Sequence, residues 1–491
     1  MKLIYGVKDR PTLFQTIVFA LQQLLAILAA TIAVPMVVGH EMSTSAALFG
    51  AGAGTLVYLL FTKFKSPVFL GSSFAFIGSM TAAFAGGVSM ALGYLGLLIG
   101  AVFAGLVYVV IAIAVKFAGV GWIDKLMPAV VIGPTVALIG LSLAGSAVSQ
   151  AVSATTDASG NYVMDLHAGL CLICALVTLG VTIVCSVYGK KMLKMIPFIC
   201  GILSGYLLAA VFTLIGMGTG VEALQIIDFS IFKEMKWLPD FTFITAFTGP
   251  FTPAEGSTIG GYIGTIAVAY IPVAFVVFAE HLADHKNISS IIEHDLLRDP
   301  GLSRTLLGDG VGSMVGALFG GCPNTTYGES IGCVAISGNA SVVTILATAI
   351  LAIVFSFVAP FVTFLSSIPA CVMGGVCIAL YGFIAVSGLK MIQKVDLNEN
   401  ENLFVVSTIL IAGVGGMALS FGQVTVTAIA TALILGILVN VLVNIGKKKG
   451  ENAQASEAPE ASVSEETAAA PETAAPAEAP ETQEPKKGGL R

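Results

Sequence analysis

Apolar positions along this chain run in long unbroken stretches, unlike the alternating or one-faced patterns of a soluble domain. Stretches of roughly 20 apolar residues recur, as at 92–115, 166–187, 341–364 and 403–420, and each is long enough to cross a hydrocarbon core as a helix. About fourteen such spans are expected at that length scale, some of them short or broken. Composition sharpens the picture: of 491 residues, 56% are hydrophobic and only 11% charged, against about 25% charged in soluble domains. The fold class that follows is an all-α polytopic membrane protein in a lipid bilayer, and no removable leader is expected in "MKLIYGVKDRPTLFQ".

The bases give the chain a direction. Lys8, Arg10, Lys63, Lys65, Lys116, Lys125, Lys190, Lys191 and Lys194 occupy every second connection of the first half, with Lys2 at the start. Lys286, Arg298, Arg304, Lys390, Lys394 and Lys447–Lys449 do the same in the second, while the connections near 40, 88, 155, 324, 366 and 422 carry none. Positive loops stay in the cytoplasm, so both termini are expected inside, the number of spans even, and 217–262 external despite Lys233 and Lys236. The formal charge of −6 comes from residues 450–491, which hold nine acids and three bases; the remaining 20 acids and 20 bases cancel. That Pro-, Ala- and Glu-rich tail cannot bury enough surface to order itself, so a disordered cytoplasmic appendage is expected there.

Two spans echo each other. "PAVVIGPTVALIG" from Pro128 and "PACVMGGVCIALYG" from Pro369 match at Pro128/Pro369, Ala129/Ala370, Val131/Val372 and Gly133/Gly374. One follows an inside connection and the other an outside one, which predicts an inverted repeat. The transmembrane domain is then 1–449, with repeats at about 12–216 and about 263–446. Folds of this kind place a site at the bilayer midplane, where interrupted helices meet. The candidates are "SPVFLGSSFAFIGSM" (66–80) and "GCPNTTYGESIGCVAIS" (321–337), whose extended backbone leaves N–H groups free for a carbonyl or anionic ligand.

Most acids outside the tail fall in predicted loops. Glu280, Asp284 and Glu329 do not, and an ionisable group within a span costs at least ~2.5 kcal/mol, which makes it a functional candidate. Glu280 and Asp284 are i and i+4, on one helical face about 6 Å apart along the axis. His281 reads as a hydrogen-bond partner beside Glu280, and His285 as an interfacial residue beside Lys286. "HLADH" lacks a third metal ligand, and HExxH, a nucleophile elbow and a P-loop are all absent, so neither a metal, an organic cofactor nor an enzyme is expected. Cys171 and Cys174 form a CxxC filled by Leu and Ile, read as small buried hydrophobes. Gln22 and Gln23 sit in apolar sequence, where amides bond between helices.

The residues "LGSSFAF" (70–76), "AEH" (279–281), "DLLRDPGL" (295–302) and "PNTTYGE" (323–329) resemble the nucleobase–ascorbate transporter family, and within it the bacterial uracil permease branch, over about residues 5–445. The resemblance implies fourteen spans in a seven-plus-seven inverted repeat. It also implies short strands in spans 3 and 10 and a core domain moving against a gate domain. It further implies a proton symporter of the cell membrane that takes up uracil and forms a homodimer, with the proton as coupling ion and no nucleic acid as partner. Carried over residue by residue, Glu280 and Glu329 bind the base, Gly328 and Phe74 offer backbone N–H groups, and Tyr327 and Ala30 line the pocket. Glu280, Asp284 and His281 are the proton-coupling candidates. Three positions depart from the pattern: Asp284 stands where one uracil permease has His, Ser330 where Asn is usual (with Ser337 for a later Thr), and Gln23 where many members have His. Two readings remain beside uracil import: a xanthine or other purine permease, and an anion exchanger of the same architecture, against which two central acids argue.

Overall fold

The computed structural model describes residues 3–119, 121–122, 128–190, 192–421 and 424–456. Lys2, Lys125, Lys191 and the tail beyond 456 lie outside the described residues. Helices dominate: α1 (Leu13–Val38), α2 (Thr44–Phe61), strand β1 (Leu70–Ser72), α3 (Ile77–Ala83), α4 (Met90–Ala118), α5 (Ala129–Ser142), α6 (Ala144–Val152), α7 (Leu166–Tyr188), α8 (Met192–Met195), α9 (Pro197–Thr219) and α10 (Thr242–Ala246). The second half holds α11 (Ile259–Ile292), α12 (Leu302–Gly320), strand β2 (Asn324–Thr326), α13 (Gly328–Ser337), α14 (Val342–Ser356), α15 (Ala359–Ser366), α16 (Ala370–Ile392), α17 (Asn400–Val414), the hairpin β3 (Leu419–Phe421) with β4 (Val424–Val426), and α18 (Ala428–Ser456). The backbone of α18 stays helical past 450, where disorder was expected to begin; "ENAQAS" is built mainly from residues that tolerate or favour a helix.

Among the described residues, nine helices are long and apolar enough to cross a membrane, or ten if the bent pair α14–α15 counts as one. Reaching the fourteen expected requires adding α12, α17 and the two strand-plus-half-helix segments at β1 and β2 to those ten. The stretch 341–364 is not one straight span: it bends by 83° between α14 and α15. Pro360, in the first turn of α15, explains the break, since it has no N–H to give to the preceding turn.

Within residues 1–444 the helices pack in two groups. One gathers α1, α2, α4, α11, α12 and α14 around β1 and β2; the other gathers α5, α6, α7, α9, α16 and α17. In the second group α5 and α16 begin at Pro128 and Pro369 as N-caps and run antiparallel along a glycine seam. A Cβ on Gly133 would press on Ile392, and one on Gly374 would press on Ala151. Moving each partner by the offset that separates Pro128 from Pro369 turns the first contact into the second. A Cβ on Gly140 would enter the carbonyl of Tyr381, its own equivalent under that offset, so the pseudo-twofold axis passes there. This is the inverted repeat expressed as contacts. Gly140→Val is therefore expected to destabilise the protein by about 1–3 kcal/mol through overpacking, read as a lower melting temperature, whereas Gly145→Ala, with open space around it, is expected to change little.

Candidate functional site

The centre of the first group is built from the two interrupted segments. β1 and β2 pair antiparallel, Leu70 with Thr326, Gly71 with Thr325 and Ser72 with Asn324, and Ser73 N–H donates to the Pro323 carbonyl at 2.9 Å. Backbone this deep needs internal partners, and side chains supply them. Thr55 Oγ1 accepts from Leu70 N–H at 3.0 Å, the Asn324 amide donates to the Gly50 carbonyl at 2.9 Å, and the Ser313 hydroxyl donates to the Asn324 carbonyl. The Asn324 amide fills a slot that exists because Gly54 and Gly316 lack side chains. Each strand then turns into a helix. A 3₁₀ turn at Phe74–Phe76 leads into α3, and Tyr327 leads into α13, so two helix starts face the middle of the molecule.

A cavity of about 330 Å³ lies in front of α13, at the small end of ligand sites. Its walls come from α11 (Glu280, Ala283, Asp284), from α13 (Gly328, Glu329, Gly332), from α16 (Phe383, Ser387, Met391) and from the 194–198 segment. The three carboxylates expected from sequence thus share one space, and all three are half-buried. Asp284 Oδ2 accepts from Thr326 Oγ1 at 2.7 Å. Glu280 carries no side-chain hydrogen bond among the described residues and is the freer of the two α11 acids. Gly328 is exposed to the cavity, and a Cβ there would meet no protein atom. Two carboxylate acceptors, with the N–H groups that begin α13, form a set complementary to a flat ring bearing both N–H and C=O groups.

Other expected site residues lie elsewhere. Tyr327 is buried, and its hydroxyl donates to the Ser72 carbonyl at 2.7 Å while its ring covers Gly71; it ties the strands together and is not on the cavity wall. Phe74 packs edge-on against Tyr381 at 5.6 Å, and Ala30 is buried in α1; neither is on the wall. His281 points away from the cavity, pairing Nδ1 with Asp309 Oδ2 at 2.7 Å and setting Nε2 3.0 Å from Thr305 Oγ1. A helix turns by about 100° per residue, so a neighbour of Glu280 in sequence faces α12 instead. His285 is a correction: it is fully buried, stacked on His281 at 3.9 Å, with Nδ1–H donating to the His281 carbonyl at 2.8 Å. A carbonyl can only accept, which places a proton on Nδ1, and Nε2 stands 2.6 Å from the Tyr58 hydroxyl, itself 2.7 Å from Ser66 Oγ. Lys286 beside His285 is exposed, because one residue along a helix suffices to pass from core to solvent.

Asp309 was missed. It stands at 1% exposure on α12, with Oδ1 unpartnered among the described residues. The signal was present in "LLGDGVGSM", an acid in a run otherwise made of small and apolar residues. No group of three or more His, Cys, Asp or Glu among the described residues could hold a metal ion.

Two of the departures meet each other. Gln23 Nε2 on α1 donates to Ser330 Oγ at 2.5 Å and to the Ser330 carbonyl at 3.2 Å, and the same Oγ accepts from Phe69 N–H at 3.2 Å. Ser330 therefore pins the start of α13 to α1 and to the approach of β1, directly behind Glu329. Gln23→Ala is expected to cost about 1–3 kcal/mol of stability, the usual penalty for stranding buried polar groups, seen as a drop in melting temperature with a matching rise in ligand Kd.

The permease family matches residues 14–421. The chain is 40% identical to the uracil permease of Bacillus caldolyticus over 92% of this chain and 97% of that one. It is 39% identical to the uracil permease of Bacillus subtilis, over 93% and 98%, and 37% identical to that of Escherichia coli K12, over 88% and 92%. Among solved structures, the transmembrane domain of a cyanobacterial bicarbonate transporter, BicA, superposes with a TM-score of 0.59 at 16% identity, covering 89% of this chain and 99% of that one. SLC26A9 superposes at 0.62 with 12% identity, covering 88% and 65%. These structural likenesses carry the core-and-gate fold alone.

Proposed function

Because the chain belongs to the permease family, that of the nucleobase–ascorbate transporters, and is a multi-pass membrane transporter and not an enzyme, we propose that it imports uracil by proton symport through alternating access. The observation that carries this reading is the convergence of Glu280, Glu329 and the start of α13 on one cavity. Uracil presents two N–H donors and two carbonyl acceptors on one plane. Glu329 accepts from ring N–H, Glu280 accepts on the facing side, and the N–H groups at Gly328 donate to a carbonyl. A carboxylate–imide pair is a charge-assisted bond.

The cavity reaches Lys194 and Met391, at the end where bases cluster, which supports reading it as inward-open, with both termini cytoplasmic and the protein in the cell membrane. Glu280, with Asp284 beside it, holds the transported proton, and His281 acts through its bond to Asp309 by fixing the register of α11 against α12. A homodimer completes the proposal.

Labelled uracil uptake into proteoliposomes, with the outside made more acidic, is the test. Accumulation above the equilibrium level that disappears when the gradient is collapsed is expected. Accumulation indifferent to the gradient sinks proton symport, and competition by xanthine but not by uracil selects the purine reading.

A further inference from the structure

A second cavity, of about 650 Å³, lies between α11 and α16. Lys286 and Asn287 line it from α11, Lys390 from the last turn of α16, and Lys394 from the turn just beyond that helix. Ala283 and Met391 are on its wall and on that of the carboxylate cavity, so the two spaces adjoin. No acid lines it, and none of the three lysines has an ion pair among the described residues. Like charges around one space repel each other unless something negative sits among them. Membrane orientation accounts for bases at this end of the molecule. It does not require three of them to converge from two different helix groups on one open space free of carboxylates.

We propose that this cleft binds a phosphate-bearing anion, which bridges α11 to α16 and holds the two helix groups in the arrangement seen here. Three ammonium groups match the two or more charges of a phosphoryl group, for which lysine serves as a point-charge ligand, and the Asn287 amide adds a neutral donor. The anion touches both groups only while these faces stand opposite each other, so it binds one arrangement better and shifts the population toward it. The effect on transport rests on the alternating-access reading above; binding itself does not. The phosphate comes either from a soluble cytoplasmic compound or from the headgroup of an anionic lipid.

The full-length protein, reconstituted in zwitterionic phosphatidylcholine vesicles, is assayed for uracil uptake with pyrophosphate or uridine monophosphate on the cytoplasmic side. A parallel set of vesicles contains phosphatidylglycerol and no soluble phosphate. At least one arm is expected to slow uptake by about fivefold or more, the range of ordinary coupling between sites. A response to soluble phosphate alone identifies the first source, and a response to phosphatidylglycerol alone identifies the second. Lys286→Gln/Lys390→Gln/Lys394→Gln is expected to transport normally without the anion and to lose the response, whereas the triple arginine replacement keeps it. No response in either arm, or an equal response in the glutamine variant, overturns the proposal. Pyrophosphate is also expected to raise the melting temperature of the solubilised protein, and not that of the glutamine variant. That shift in a protein that fails to transport uracil leaves the site standing and removes the transport reading instead.

Discussion

Glu329→Gln is expected to lower uracil uptake by about 10- to 100-fold, because it removes a hydrogen bond to a charged acceptor, worth about 1.5–3 kcal/mol, and can set a donor against the donor of the ring. Glutamine keeps the length and shape of the side chain, so the change isolates charge and acceptor number. A carboxylate can accept through either oxygen; an amide accepts through one only, and its N–H₂ repels the ring N–H when it faces it. Glu329 sits in the first turn of α13, where the helix dipole favours an anion by about 0.3–1 kcal/mol. The folding cost of removing the charge is therefore small beside the binding cost, and the melting temperature is expected to move little. Uptake and equilibrium binding of uracil, measured together, separate the two. Equal uracil affinity in the variant and the unchanged protein removes Glu329 from the site.

The residues that placed the centre of the fold were those whose chemistry is local. Pro323, Asn324 and the threonines after them resist a helix wherever they occur, and Gly328 beside Glu329 marks a helix start, so an interrupted segment could be read from ten letters. The repeat was legible for a related reason: Pro128 and Pro369 each cap a helix, and the glycines after them are demanded by close backbone approach. What sequence could not supply was the rotation of each helix. Glu280 and His281 are adjacent letters on different faces, one open to the cavity and the other bonded to Asp309 across a helix boundary. Tyr327 was placed on the pocket wall by resemblance, yet its hydroxyl is committed to Ser72 in this arrangement. The Gln23–Ser330 bond spans 307 positions, and nothing in either neighbourhood announces the other. The two departures could each be seen, but their mutual contact needed the fold.

Glu280→Gln is expected to abolish accumulation of uracil against its gradient while leaving exchange of uracil for uracil measurable. Of the two acids that α11 brings to the cavity, Glu280 alone lacks a side-chain hydrogen bond among the described residues. Asp284 already accepts from Thr326 at 2.7 Å, and that donor is better served by the carboxylate than by the acid. A proton carrier must be able to bind and release H⁺ in both arrangements of the core. A group fixed to a strand-bound threonine is less able to do this than one that faces only the cavity. Replacing Glu280 by its permanently neutral isostere removes the charge that would otherwise have to cross the membrane unprotonated, so the loaded carrier still reorients and exchange survives, slowed by about 10- to 100-fold for the weakened contact to the base. Coupling is lost because the acids that remain are committed elsewhere, Asp284 to Thr326 and Glu329 to the base. Asp284→Asn, by contrast, is expected to retain gradient-driven accumulation at a reduced rate. Proteoliposomes loaded with unlabelled uracil report exchange, and empty ones under an acid-outside gradient report accumulation. If accumulation persists in Glu280→Gln and vanishes in Asp284→Asn, the proton is carried by Asp284, and Glu280 serves only to bind the base.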